Sequence, residues 1–200
     1  MPSSGLDASA HPTRRALMLG TLSAATCLSI PAAAAEEERP GSDKRPQKGD
    51  LLVVAEGDRE GQVIKPEDLK LGDPPLLAWP KDHESAVIRD GSRLNELLVV
   101  KLAPEDLDET TRPRAADGIV AYSAVCTHAG CPVTAWMKAT EGEQEVFKCL
   151  CHNSEYDPRR AAQVVFGPAP RRLAALPLAI VDGALVVAGT FVGKVGAQQG

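Results

Sequence analysis

Aromatic side chains are scarce in this chain, 4% of its 200 residues, and no long stretch repeats apolar residues at helical spacing. With 17 glycines and 16 prolines cutting the sequence into short apolar runs, this excludes a helical bundle and predicts an all-β protein. A basic cluster is missing too. The formal net charge is −5 and no Lys/Arg cluster lies beyond the N-terminus, so nucleic acid is excluded as a partner. There is no internal repeat, and the length suits one domain with a terminal extension rather than two cores. Cysteine is limited to five residues and histidine to four; the chemistry lies in where these few are placed.

Two stretches hold most of them. Cys126-Thr-His-Ala-Gly-Cys131 is answered by Cys149-Leu-Cys-His-Asn-Ser-Glu-Tyr-Asp157, so each stretch offers a cysteine and a histidine in close order. Four such ligands can enclose a metal centre. A structural zinc ion suits two Cys and two His equally well in chemical terms. Spacing argues against it, because zinc fingers usually pair like with like, whereas here each stretch mixes a thiolate and an imidazole. A two-iron cluster with both cysteines on one iron and both histidines on the other is assembled naturally from two mixed loops.

At these residues the sequence resembles a Rieske iron–sulfur protein, whose signature boxes read C-T-H-x-G-C and C-x-C-H-x-S-x-Y-D. The resemblance spans about residues 118–176 and implies one [2Fe-2S] cluster per chain. It assigns Cys126 and Cys149 to the inner iron and His128 and His152 to the outer one. It also implies a disulfide between Cys131 and Cys151, hydroxyls of Ser154 and Tyr156 hydrogen-bonded to cluster sulfurs, and a proline loop at Gly167, Pro168 and Pro170. Asn153 stands where many members have glycine, a departure that bears on the geometry of the loop after His152.

The implied function is one-electron transfer, with the chain an electron-transfer subunit of an oxidoreductase rather than a catalyst alone. Two neutral imidazoles in place of two thiolates make such a centre easier to reduce, and hydroxyl donors add to this. The expected potential lies towards the upper part of roughly −150 to +300 mV. Three settings fit this function. The chain could serve as iron–sulfur subunit of a respiratory complex, of the quinol–cytochrome c reductase or arsenite oxidase type; as a free periplasmic carrier; or as a ferredoxin of an oxygenase system. Cys131 and Cys151 and an export signal speak against the last. The partners implied are a c-type cytochrome or larger oxidoreductase subunit, and quinol.

Residues 1–35 read as a twin-arginine signal: Arg14 and Arg15, a modest apolar core, then small residues before Glu36. This predicts export of the folded protein to the periplasm. The alternative is a retained inner-membrane anchor, for which residues 16–35 form a weak span broken by Gly20 and Pro31. Cys27 carries no assignment. With this segment removed, every remaining cysteine lies in the two boxes, which suits an oxidising compartment.

Residues 36–48, charged and rich in Pro and Gly, are expected to be a flexible linker. The domain is expected over 49–192, with a cluster-binding subdomain at about 118–170 and a tail from 193 to 200. Within it, strands are expected at 51–54, 76–79, 86–89 and 97–102, with Gln62 to Ile64 as a hairpin partner of the first. A strand over 118–125 delivers the first box and one over 145–148 the second. Strands at 176–181 and 184–187 flank a hairpin turn at Asp182 and Gly183. His83 and Pro80 fall in a solvated loop, and 104–114 is an exposed excursion of one or two helical turns. The resemblance sharpens the all-β reading to an antiparallel sandwich carrying a small cluster-binding subdomain.

Overall fold

The computed structural model describes residues 39–197, so the twin-arginine segment and Cys27 lie outside the described residues. Eleven strands form two antiparallel sheets. The larger contains β1 (Leu51–Val54), β2 (Leu76–Lys81), β3 (Leu97–Lys101), β4 (Ile119–Ser123), β9 (Ala175–Leu176), β10 (Leu178–Val181) and β11 (Ala184–Val187). The smaller contains β5 (Ala135–Lys138), β6 (Glu145–Cys149), β7 (Ser154–Asp157) and β8 (Gln163–Phe166), in that order. The expected all-β antiparallel fold is present; the second box is the β6–β7 turn of the small sheet, and the first lies in the connection from β4 to β5.

The larger sheet runs β10-β11-β1-β2-β3-β4-β9. Its two end strands are separated in sequence by Pro177 alone, so the sheet must curl until its edges nearly meet. Proline has no N–H to give to a ladder, which explains why the single strand expected over 176–181 is divided at that point. The hairpin at Asp182 and Gly183 forms as expected, with φ of 50° and 75°, the conformation of a type I′ turn.

β3 and β4 form the wall between two cores. Alternate side chains of a strand point to opposite faces. Leu97 and Val99, with Ile119 and Ala121, enter the core inside the curled sheet. Leu98 and Val100, with Val120 and Tyr122, enter the core shared with the small sheet, which contains Phe147, Tyr156, Cys126 and Cys149. Burial on both faces explains why the run from Leu97 is continuously apolar rather than alternating. Cys126 and Cys149 thus belong to a hydrophobic core, whereas Cys151 is exposed.

Three stretches differ from expectation. Residues 86–89 form no strand; Ile88 makes an isolated bridge to Lys81, and Arg89 is instead buried, its guanidinium held by Asp50 at 2.6 Å and Asp82 at 2.8 Å. Pro80 lies within β2 and is buried, its carbonyl accepting from Arg89 N–H. Residues 104–114 make two short 3-10 turns, Pro104–Asp106 and Arg112–Arg114, but Leu107 and Thr111 between them are buried. The apolar Leu107 joins the second core.

Composition also hides how firmly residues 39–48 are held. Asn95 Nδ2 donates to Lys44 O, Gly91 N–H to Ser42 O, and Arg45 Nη1 to Leu94 O at 2.9 Å. A side chain at Gly91 would bring its Cβ to 2.5 Å from Ser42 Oγ, so the two segments touch. No helix of the described residues is long and apolar enough to cross a membrane.

Candidate metal centre

The first box follows β4 and folds back on itself. Cys126 N–H donates to Cys131 O at 2.8 Å, Gly130 N–H donates to Cys126 O at 3.0 Å, and Val125 bridges Pro132. This closed loop leaves Thr127, His128 and Ala129 at its tip. The second box is a β-hairpin: Cys149 ends β6 and pairs with Ser154 at the start of β7, so Leu150, Cys151, His152 and Asn153 form the turn. Asn153 has φ 60°, a left-handed conformation that asparagine tolerates better than most non-glycine residues. The departure from glycine therefore keeps the backbone turn.

The hairpin's period of two places Ser154 and Tyr156 on one face, towards the first box, and Glu155 on the other. Glu155, fully buried, accepts from Lys148 Nζ and from Thr140 N–H, each at 2.8 Å, and from Thr140 Oγ1. Burial alone would raise its pKa; these three donors outweigh that and hold it below the ordinary value. The β7–β8 register shifts between Glu155 and Tyr156, a bulge beside the site of the kind that re-aims a side chain.

The loops bring like groups together although each contains unlike ones. Cys126 and Cys149 are both buried, in the same hydrophobic core. The rings of His128 and His152 lie edge to face, centroids 4.7 Å apart, with His128 half-buried and His152 exposed. The pair of sulfurs thus lies inside and the pair of imidazoles towards solvent. His128 Nδ1 is buried and has no hydrogen-bond partner. Such an orphaned acceptor or donor is costly unless a group outside the protein satisfies it.

Burial pushes the Cys149 thiol up to about 12 and the neighbouring Cys126 adds to that, against a hydrogen bond from the Cys151 backbone that lowers it. Without a positive charge beside it, this site holds thiols rather than thiolates. Tyr156 is raised as well, first by burial and then by its contact with Cys126. Its hydroxyl lies 3.1 Å from Cys126 Sγ and accepts from Thr127 N–H at 3.3 Å.

Cys131 and Cys151 are thiols in this structure, and their sulfurs, with that of Cys149, lie within 4.8 Å of one another. Contact with Cys151 is the main cause of the raised Cys131 pKa. Gly167 begins the proline loop at φ 88°, and a Cβ there would stand 2.6 Å from Asn153 O and 2.7 Å from Ser154 Cα. That close approach admits glycine alone. From the same loop, Ala169 N–H donates to Ser154 Oγ at 3.1 Å; the Ser154 hydroxyl proton remains to be given elsewhere. His83 lies apart from the site on an exposed loop, as expected.

Sequence reasoning missed three contributors. Thr127, inside the first motif, donates its hydroxyl to Arg171 O at 2.5 Å and so ties the first loop to the chain after Pro170. Arg93 donates to Gly130 O, and the Arg171 side chain holds the carbonyls of Lys194 and Gly196. Thr127 could have been singled out by its position; the two arginines are distant in sequence and carry no local signal.

The family model for the Rieske [2Fe-2S] domain matches residues 59–177. The chain is 33% identical over 156 residues to the cytochrome bc1 complex Rieske iron-sulfur subunit of Streptomyces lividans, covering 74% of this chain and 85% of that one. It is 30% identical over 166 residues to the corresponding subunit of Mycobacterium tuberculosis, of whose length the match spans 37%. A Haloferax mediterranei protein named as a candidate Rieske subunit of a respiratory nitrate reductase is 30% identical over 180 residues, covering 89% of this chain and 75% of that one. Among solved structures, the soluble domain of Rieske protein II from Sulfolobus acidocaldarius matches 50% of this chain and 66% of that one, at 20% identity and a TM-score of 0.36. The chain belongs to the Rieske [2Fe-2S] family, and a [2Fe-2S] cluster is its cofactor.

Proposed function

We propose that Cys126 and Cys149 hold the inner iron and His128 and His152 the outer one, and that the chain is the iron–sulfur subunit of a respiratory oxidoreductase. The observation that carries this is the sorting at the site: Cys126 and Cys149 are buried in one core, two imidazoles meet edge to face towards the surface, and His128 Nδ1 is buried without a partner. The donor set fits the cofactor. Thiols that resist ionisation in an apolar core become good ligands once cations are present, because metal binding displaces their protons.

The cluster supplies a single-electron redox centre, oxidised and reduced without breaking a substrate bond. The protein's part is to hold and tune it. The core around Cys126 and Cys149 excludes water from the inner side, and Tyr156 and Ser154 direct hydroxyl protons towards sulfur. His152, exposed at the tip of its hairpin, is the point of approach for a redox partner: a c-type cytochrome, a larger oxidoreductase subunit or quinol. The disulfide between Cys131 and Cys151 belongs to this reading, supported by the closeness of their sulfurs. So does export by the twin-arginine route to the periplasm, supported by Arg14 and Arg15 and the small residues that follow the apolar core.

Iron and acid-labile sulfide analysis of the purified chain tests the site: two of each per chain is the expected result, and stoichiometric zinc from iron-replete cells contradicts it. The address is tested by the mass of the mature N-terminus. A chain beginning near Glu36 and washing off membranes supports export with cleavage; an intact N-terminus resistant to washing contradicts it and marks an anchor.

A further inference from the structure

Beside the first ligand loop lies a cleft of about 670 Å³, within the size range of sites that hold small organic molecules. Its lining combines apolar Leu94, Val125 and Phe191 with three cationic side chains, Arg45, Arg93 and Lys194, and contains no Asp or Glu. None of these cations is within 4.0 Å of a carboxylate among the described residues. In a chain of net charge −5, this is a concentration of positive charge, offset nearby by Glu96, which interacts with Arg93 without an ion pair.

Both arginines are exposed, and each is tethered by one hydrogen bond to a backbone carbonyl. Arg45 Nη1 donates to Leu94 O at 2.9 Å and Arg93 Nη2 to Gly130 O. Each guanidinium has five N–H donors, so most remain for a ligand. The segment bearing Lys194 is placed by Arg171, whose Nη2 donates to the carbonyls of Lys194 and Gly196. Arg171 Nε and Nη1 are themselves buried without partners, so a further positive charge stands behind the segment that lines the cleft. Converging cations at a concave surface repel one another and attract an anion from solution.

We propose that this cleft binds an amphipathic oxyanion: a carboxylate or phosphate held by Arg45, Arg93 and Lys194, with a small apolar body against Leu94, Val125 and Phe191. The binding itself is independent of the cluster. A second consequence rests on the cluster reading, because Ala129 and Gly130 of the first ligand loop also line the cleft. Reduction adds negative charge to the neighbouring centre, so the oxidised protein binds the anion more tightly. By reciprocity the bound anion lowers the reduction potential.

Calorimetric titration of the full chain with decanoate, below its micellar concentration, tests the proposal against decanol as the uncharged equivalent. Flotation with phosphatidylglycerol and phosphatidylcholine vesicles distinguishes a lipid headgroup from a free acid as the source of the anion. The expected result is one decanoate per chain, decanol much weaker, and decanoate weakened about fivefold in Lys194→Gln and in Arg45→Gln, the size of one partly solvated charge contact. Flotation with phosphatidylglycerol alone assigns the anion to a lipid, and decanoate binding without flotation assigns it to a free acid. Decanol binding as tightly as decanoate, no change in either variant, or no binding of decanoate or phosphatidylglycerol overturns the site. If decanoate binds and the potential stays fixed at saturation, the coupling to the cluster is overturned, whatever iron analysis shows.

Discussion

The Tyr156 hydroxyl oxygen stands 3.1 Å from Cys126 Sγ, and the backbone N–H of Thr127 donates to the same oxygen. With that lone pair engaged, the tyrosine's own proton is available to Cys126 Sγ or to Thr127 Oγ1, 3.4 Å away. With Cys126 a thiolate ligand, as proposed, sulfur is a charged acceptor and the O–H is its donor. A donor to sulfur favours the more negative, reduced state. Hydrogen bonds to charged groups contribute about 1.5–3 kcal/mol, and about 59 mV corresponds to a tenfold change for one electron. Tyr156→Phe and Ser154→Ala should therefore each lower the potential by roughly 65–130 mV, with the domain still folded because the phenyl ring keeps its place in the core. Film voltammetry showing no change in either variant would mean that these hydroxyls do not tune the cluster.

Cys131 and Cys151 should be found bridged in exported protein. Their sulfurs already share a space of 4.8 Å with Cys149, and a bridge would brace two loops at the edge of a small core. Alkylation without reduction, followed by mass analysis, should label neither; a labelled Cys131 or Cys151 in cluster-loaded protein contradicts the pairing.

Gly167→Ala should loosen the proline loop from the second box. Its added methyl would sit 2.6 Å from Asn153 O at a φ of 88°, so either the loop moves or the hairpin turn does. A left-handed backbone costs a non-glycine residue about 1–2 kcal/mol before any clash. The measurement is the rate of cluster loss on warming, expected to rise well before global unfolding. A rate equal to wild type would show that the loop does not need this approach.

Much of the site was legible because its chemistry is local in sequence. Spacing within the boxes placed each Cys beside a His, and the resemblance named Ser154 and Tyr156, which the hairpin then carries on one face. The strands at 51–54, 97–101 and 119–123 were legible from short apolar runs. Strands β5 and β8 were not, because Ala135–Lys138 and Gln163–Phe166 are only partly buried and read as mixed polarity. Nor did composition reveal the hold on residues 39–48, which depends on single hydrogen bonds to Leu94, Asn95 and Gly91 some fifty positions away. Arg93 and Arg171 were invisible for the same reason: a guanidinium reaching a distant carbonyl leaves no pattern in its own neighbourhood.

Glu155→Gln should destabilise the small sheet in a pH-dependent way. The carboxylate's folded pKa is depressed below its unfolded value, so its stabilisation is fully present above the ordinary glutamate pKa and is lost as pH falls through the lower folded value. Removing one member of a buried pair costs about 3–5 kcal/mol. Chemical denaturation should show the variant less stable than wild type at neutral pH, with the gap narrowing in acid. A gap constant across this range would assign the effect to packing rather than to charge.

The central claim is that two imidazoles and two thiolates share one two-iron cluster. Pulsed electron paramagnetic resonance of the dithionite-reduced protein, grown with nitrogen-15 histidine, reads this directly. The account predicts coupling to two histidine nitrogens in wild type, loss of the cluster or of this signature in His128→Ala and in His152→Ala, and an unchanged spectrum in His83→Ala. A reduced cluster with no histidine nitrogen coupling, or one that survives intact in both ligand variants, would contradict it.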